Sequence, residues 1–448
     1  MARKVFISFL GYSNYGYCKY QKENFVSDNV RFIQTATLDY LQSLEKWNEN
    51  DVAYFLLTKG AKEKNWVDNG HSQVATPQDG LATCLQKKNY PFSVKTVENL
   101  PDGKNEEEIF DIFKTVYAVL QPNDILYFDI THGFRSLPML ALVLVNYAKF
   151  LQHIEVRSIT YGNYEVRAKV TDECVTPPVY VAPIIDLLPL SQIQDWTFAT
   201  ADFLKNGNAD RYEELANDYK RSIFVGHRSG DKHRAVDLTG LVQRLKSVVD
   251  DFQTCRGVEI LHATHVAKLK ENAKTIGETV IEPLNPVLEK IDEAFKDFDS
   301  SANCRNGFEA ARWCIAHNLY QQAATILQET TISFFCEKYQ LNICNEKERQ
   351  NVNIAFACLK KLVADTTAEE ERIEIKKKIE ESPLLQRLMA DPLLSKEQVG
   401  KAFGLLTDER NDINHNGMRQ APHSAKSIRE NIEKAFHSLY EGLSEELF

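Results

Sequence analysis

The run Asp124-Ile125-Leu126-Tyr127-Phe128-Asp129-Ile130, followed by Thr131-His132-Gly133-Phe134-Arg135-Ser136-Leu137-Pro138, constrains the fold of this chain more than any other stretch. Its first part is short, apolar and rich in strand formers, which suits a buried strand; Ser136 and the early Pro138 before a long apolar segment mark a helix start. Strand, tight turn and helix in such close succession belong in a parallel sheet with helical crossovers. A helix start directs unpaired N–H groups and partial positive charge outward. With Thr131, His132, Gly133 and Arg135 in the turn, the locus suits an anion, phosphate above all.

The rest of the first half repeats this unit. Strands are expected at 4–10, 51–58, 92–97 and 154–161 and helices at 28–47, 105–120 and 137–152, with the polar stretch 59–89 unassigned. Residues 164–170 and 179–185, on either side of Pro177-Pro178, read as a hairpin that closes the domain near residue 190. Ligands of such folds bind beyond the carboxyl ends of the strands. The loops Gly11-Tyr12-Ser13-Asn14-Tyr15, Thr58-Lys59-Gly60 and Thr131-His132-Gly133 are therefore expected along one sheet edge, able to share a ligand. Tyr12, Tyr15 and Tyr17 suit stacking on bases, although turn tyrosines more often pack on their own domain.

Beyond residue 190 helical spacing takes over. Residues 191–300 form a charged helical region, broken by a loop-like stretch whose His227 and His233 read as solvated. Helices follow at 308–317, 321–339, 351–363, 369–381, 396–415 and 424–443; the fourth of these is charged enough to be a solvated face. Near the end of the fifth stands Arg410-Asn411-Asp412-Ile413-Asn414-His415-Asn416-Gly417, with Gly417 as terminator. Five residues turn a helix through about 500°, leaving Arg410 and His415 about 140° apart, so a partner chain is one way to complete a site. Arginine offers a planar donor fork for phosphate, and histidine moves a proton near neutral pH. Together they supply the minimum for metal-free RNA cleavage by ribose 2′-OH attack, with Asn411 and Asn414 placed to orient phosphate or imidazole. The bland reading of the same pair is a complement to the helix dipole and its free carbonyls.

Composition sets outer bounds. A chain of 448 residues suits two or three domains, and a net charge of -10 argues against a wholly basic nucleic-acid coat while leaving room for local basic sites. Nine cysteines without a Cys-x-x-Cys pair suggest reduced thiols in a cytoplasmic protein, with neither disulfides nor structural zinc. The apolar start at 5–10 is shorter than a signal-peptide core, and 137–151, carrying Asn146 and Lys149, falls short of a membrane span.

Asp129-Ile130-Thr131-His132-Gly133 resembles the Asp-x-Thr-His-Gly signature of a family of CRISPR-associated proteins, and Arg410 to His415 resembles the Arg, four residues, His motif of HEPN ribonucleases. Residues 313–323 with Leu327-Gln328-Glu329 are similar to the opening helices of a HEPN domain. The resemblance covers essentially the whole chain. It implies an α/β Rossmann-like CARF domain at 1–190, a helical linker or insertion at 191–300 and an all-α HEPN domain at 301–448. The implied activity is that of a type III CRISPR ancillary effector, a metal-independent endoribonuclease on single-stranded RNA. Its allosteric activator would be a cyclic oligoadenylate, the tetra-adenylate ring favoured and the hexa-adenylate ring the alternative. It further implies a homodimer or higher homo-oligomer without cofactor or metal. Ligand contacts fall on Gly11, Tyr12, Ser13, Asn14, Thr131, His132, Gly133 and Arg135, and catalysis on Arg410 and His415 with Asn411 in support. Two rivals are a sensing regulator or scaffold without nuclease activity and a phosphohydrolase that degrades the ligand at His132.

Overall fold

The computed structural model describes residues 2–71, 77–133, 136–170, 178–224, 232–275 and 285–447. The chain separates into two compact units, the first reaching Asp195 and the second beginning at Trp196.

The first unit runs β1 (Lys4–Leu10), β2 (Lys19–Lys22), β3 (Phe25–Val26), α1 (Ile33–Leu44), β4 (Val52–Thr58), α2 (Lys59–Ala61), α3 (Leu81–Lys88), β5 (Ser93–Leu100), α4 (Glu106–Ala118), β6 (Ile125–Asp129), α5 (Leu137–Gln152), β7 (Glu155–Gly162), β8 (Ala168–Lys169), β9 (Tyr180–Asp186) and the start of α6 (Leu188–Asn206). The sheet order is β3-β2-β9-β7-β6-β1-β4-β5, with β8 pairing beside β9. The five strands β5-β4-β1-β6-β7 are mutually parallel. β9 turns back antiparallel on β7 and carries β2 in parallel. Alternation along β1 divides its side chains between two cores. Val5, Ile7 and Phe9 join Ile112, Val116, Leu140 and Leu144 of α4 and α5 on one face. Phe6 and Leu10 join Leu38, Leu41, Leu81 and Leu85 of α1 and α3 on the other. Both faces are buried, as a parallel sheet requires.

Three local features depart from the expectation. The 28–47 helix shortens to Ile33–Leu44, while β2 and β3 fill a stretch with no strand signal. The 164–185 hairpin is a 3-10 turn, Tyr164–Val166, and the two-residue β8 against β9. The polar 59–89 region holds α2, a π-type turn Lys62–Trp66, and α3.

The second unit is helical among its described residues: the rest of α6, then α7 (Asp210–Phe224), α8 (Lys232–Gln253), α9 (Gly257–His262), α10 (Thr264–Thr275), α11 (Asn285–Ala294), α12 (Cys304–Ala316), α13 (Tyr320–Lys338), α14 (Glu346–Val363), α15 (Glu369–Glu380), α16 (Pro383–Met389), α17 (Glu397–Asn414) and α18 (Ala425–Leu447). Phe203 of α6, Phe252 of α8 and Phe295 after α11 surround Trp313 of α12, with Phe252 and Trp313 ring centroids 5.1 Å apart, and Phe298 backs Phe252. The end of α6, α8 and the residues after α11 thus share a core with α12. No helix among the described residues is long and apolar enough to cross a membrane.

Candidate functional site

In sequence order the parallel strands β1, β4, β5, β6 and β7 lie 3-2-1-4-5 across the sheet, so the order reverses between β1 and β6. The crevice beyond the carboxyl ends at that reversal is where doubly wound folds bind ligands. Two of the three expected loops, the one after β1 and the one after β6, fall there. Asp129, last residue of β6, is fully buried and accepts from the Ser8 hydroxyl of β1 at 2.7 Å. It also accepts from the Thr131 N–H at 3.2 Å and the Thr131 hydroxyl at 2.5 Å. The Thr131 oxygen in turn accepts from the Gly162 N–H of β7 at 2.8 Å. Three strands are therefore tied through one carboxylate and one hydroxyl. Burial pushes the Asp129 carboxyl above its ordinary range against the opposing pull of these bonds.

The turn beyond is shaped by glycine. Gly133 has φ +151°, and a Cβ there would strike the Leu137 side chain at the head of α5. His132 is half-buried with its ring stacked on Tyr15 at 4.3 Å, and desolvation pushes it down to about 4, so it is neutral at physiological pH. A Cβ on Gly11 would land on the Tyr15 hydroxyl. Tyr15 also packs edge-on against Phe32 at 6.2 Å, which commits it to its own domain, whereas Tyr12 and Tyr17 are exposed. A Cβ on Gly60 would lie 3.9 Å from the Tyr12 Cβ, so the β4 loop reaches the same edge. Arg135 lies outside the described residues, as does His227.

Two residues that the motif pattern did not single out support this crevice. Asn65, on the π-type turn and fully buried, donates to the Gly11 carbonyl at 2.9 Å and the Ser13 carbonyl at 2.8 Å. Its Oδ1 accepts from Arg31 at 3.0 Å. Arg31 is 6% exposed, donates to the Asp79 carbonyl at 3.1 Å, and has no carboxylate at ion-pair distance among the described residues. A buried guanidinium with only neutral partners leaves positive potential beneath the Gly11–Asn14 loop, and desolvation lowers its pKa. No spacing signal links Arg31, Asn65 and Gly11; only the fold joins them.

In the helical unit, α17 ends at Asn414 with His415 as its cap, after which Asn416 and Gly417 take positive φ and the Gly417 N–H bonds the Asp412 carbonyl at 2.9 Å. Arg410 turns toward α13, donating to Gln328 Oε1 at 2.9 Å with Glu329 Oε1 at 3.4 Å; its buried Nε has no hydrogen-bond partner. His415 and Asn411 are exposed at the end of the same helix. Within one chain Arg410 and His415 thus share a helix end but face different surroundings. Glu329 also pairs with Arg349 at 2.7 Å on the rim of a cavity of about 240 Å³ lined by Cys255, Thr330 and Ser333 among others. On the adjoining turn of α17, Glu409 and Asp412 are buried, and Glu409 Oε1 lies 2.8 Å from His423 Nδ1.

No family model matches the chain. It is similar to a CRISPR-associated protein, MJ1674 of Methanocaldococcus jannaschii, at 23% identity over 251 residues, 53% of this chain and 34% of that protein, so it spans about a third of that relative's length.

Proposed function

We propose that this chain is a CRISPR-associated endoribonuclease of the type III defence response, switched on by a cyclic oligoadenylate and cutting single-stranded RNA without a metal in the chemical step. The observation that carries the reading is the end of α17. Arg410 is a fixed guanidinium with an unused N–H, and His415 stands exposed on the terminating turn five residues on. His415 removes the proton of a ribose 2′-OH, the 2′-oxygen bonds to the adjacent phosphorus, and the P–O5′ bond breaks with a proton delivered to the leaving oxygen. The 2′,3′-cyclic phosphate remains on one product. Arg410 neutralises charge that grows on the phosphoryl oxygens, and Asn411 orients the phosphate. The divergence of Arg410 and His415 about the helix supports a site shared by two copies of the chain.

Ligand sensing falls to the crevice between β1 and β6. Gly11, Tyr12, Ser13, Asn14, Thr131, His132 and Gly133 line it, with Arg135 assigned by the motif alone. A neutral His132 donates or accepts a hydrogen bond, and backbone N–H groups meet phosphate. Met139, Val143, Tyr147 and Phe150 form an exposed apolar stripe along α5, an appropriate surface for a second copy. A two-fold ring of phosphates matches two such crevices. Activation requires tighter ligand binding to the cutting-competent geometry than to the resting one.

A fluorogenic RNA assay with cyclic tetra- and hexa-adenylate tests the reading. Cleavage is expected only with activator, persists in chelator, and gives 2′,3′-cyclic phosphate ends. His415→Ala is expected to lose about 100-fold or more. Wild-type cleavage by that variant overturns the catalytic assignment; activator binding without any RNA cutting marks a regulator or scaffold instead.

A further inference from the structure

Glu409 and Asp412 stand three residues apart on α17 and therefore share one helix face. Both are buried, at 0% and 1% exposure. Each carboxylate has one oxygen hydrogen-bonded and one that is not. Glu409 Oε1 accepts from the Asn431 amide at 2.7 Å and lies against His423 Nδ1, while Asp412 Oδ2 accepts from the His423 backbone N–H at 2.8 Å. Glu409 Oε2 and Asp412 Oδ1 are buried without a hydrogen-bond partner. One side-chain donor atom from each of Glu409, Asp412 and His423 falls within 4.8 Å of the others. A buried carboxylate oxygen left without a partner is costly, the more so when charged, and a cation is the partner that two such oxygens share most naturally.

We propose that Glu409, Asp412 and His423 form a divalent-cation site that clips the end of α17 to the start of α18. Two carboxylates and one imidazole are a borderline donor set, suited to Mn²⁺ or Zn²⁺, with water completing the shell. Bound to a cation, the donor atoms draw in to about 3 Å from one another, as bond lengths of about 2.1 Å require. Asn431 and the His423 backbone already hold the outer oxygens, which is how second-shell donors aim ligands. The half-exposed imidazole gives the entry path. Arg419 Nη1, 3.9 Å from Asp412 Oδ1 on a side chain 45% exposed, is the competing partner and swings aside. The cation sits beside the motif helix and takes no part in phosphoryl chemistry, so the proposal stands independently of the ribonuclease reading. Its consequence is mechanical: the turn that carries His415 is held at both ends.

Mn²⁺ is the suitable probe because thiols compete for Zn²⁺. Full-length protein stripped with chelator is titrated with MnCl₂ by calorimetry and by loss of the free Mn²⁺ electron paramagnetic resonance signal, with thermal melting in parallel. One equivalent per chain, and a melting temperature that rises with Mn²⁺, are expected. Asp412→Asn and His423→Gln are each expected to weaken binding about 10- to 100-fold. Arg419→Gln is expected to tighten it, since the competing cation is gone. His423 and Arg419 are exposed enough that their variants report even if Asp412→Asn does not fold. Absence of saturable binding near one equivalent, equal binding by wild type and His423→Gln, or weaker binding by Arg419→Gln overturns the proposal in favour of a plain ion-pair network.

Discussion

Replacing Asp129 separates two roles that its position allows, a charge that acts and a bracket that orders. Alanine removes the acceptor for the Ser8 hydroxyl, the Thr131 N–H and the Thr131 hydroxyl at a site with no solvent access. Ser8 has a second acceptor in the Phe9 carbonyl at 3.2 Å, so two donors lose their partner outright. At about 1–3 kcal/mol for each stranded group, and without full additivity, the loss comes to about 3 kcal/mol. For a unit of this size that is a fall of about 6–12 °C in its melting temperature. Asparagine behaves differently. Its carbonyl oxygen serves Thr131 as before, its NH₂ donates to the Ser8 oxygen, and Ser8 keeps donating to Phe9. A buried charge disappears in the exchange, so Asp129→Asn is expected within about 1 kcal/mol of wild type. Urea unfolding followed by tryptophan fluorescence and calorimetry measures both variants. The reasoning fails if Asp129→Ala costs under about 1 kcal/mol, or if Asp129→Asn costs as much as Asp129→Ala, which would make the charge itself the essential property.

Asn65→Ala strands the Gly11 and Ser13 carbonyls and takes one of Arg31's two acceptors, and is expected to cost about 2–4 kcal/mol and to weaken cyclic-oligoadenylate binding, both measurable by calorimetry. The low pKa of His132 has a definite sign in pH dependence: between its unfolded value of about 6.5 and its folded value of about 4 the unfolded chain takes up a proton that the fold refuses. Stability of the first unit is therefore lost as pH falls from about 6.5 toward 4, and His132→Gln should flatten that part of a pH series of urea midpoints. Trp313→Ala empties the middle of the aromatic cluster and is expected to cost about 3–5 kcal/mol, seen as early melting of the helical unit in calorimetry.

The parts of this fold that were legible in the sequence are those with strong local patterns. The 124–130 run and the helix after it, the other parallel strands and the long C-terminal helices all follow hydrophobic period and cap chemistry, and they lie within a few residues of where those patterns put them. β2 was invisible because Lys19-Tyr20-Gln21-Lys22 has no apolar run; it is a strand because β9, more than 150 residues later, offers it a pairing edge. The site divides the same way. The Gly11 and Thr131-His132-Gly133 loops could be placed on one edge from topology alone. Arg31 and Asn65 could not, since their meaning comes from a π-type turn that brings an amide under a loop some fifty residues earlier. Tyr15 offered a stacking face in the sequence, and its partner proves to be His132.

The bond between Ser8 and Asp129 spans 121 residues of chain. β1 sits at the middle of the parallel strands and is synthesised before the other four, and its β6 neighbour follows only after four further strands, β2 to β5. Until then one edge of an apolar strand stands open. Synthesis at about 5–20 residues per second leaves that edge uncovered for many seconds, a window for misassembly that chaperone depletion or synonymous slowing before residue 125 would widen. A strand paired on both edges in the native molecule thus has one of them open while the chain is being made.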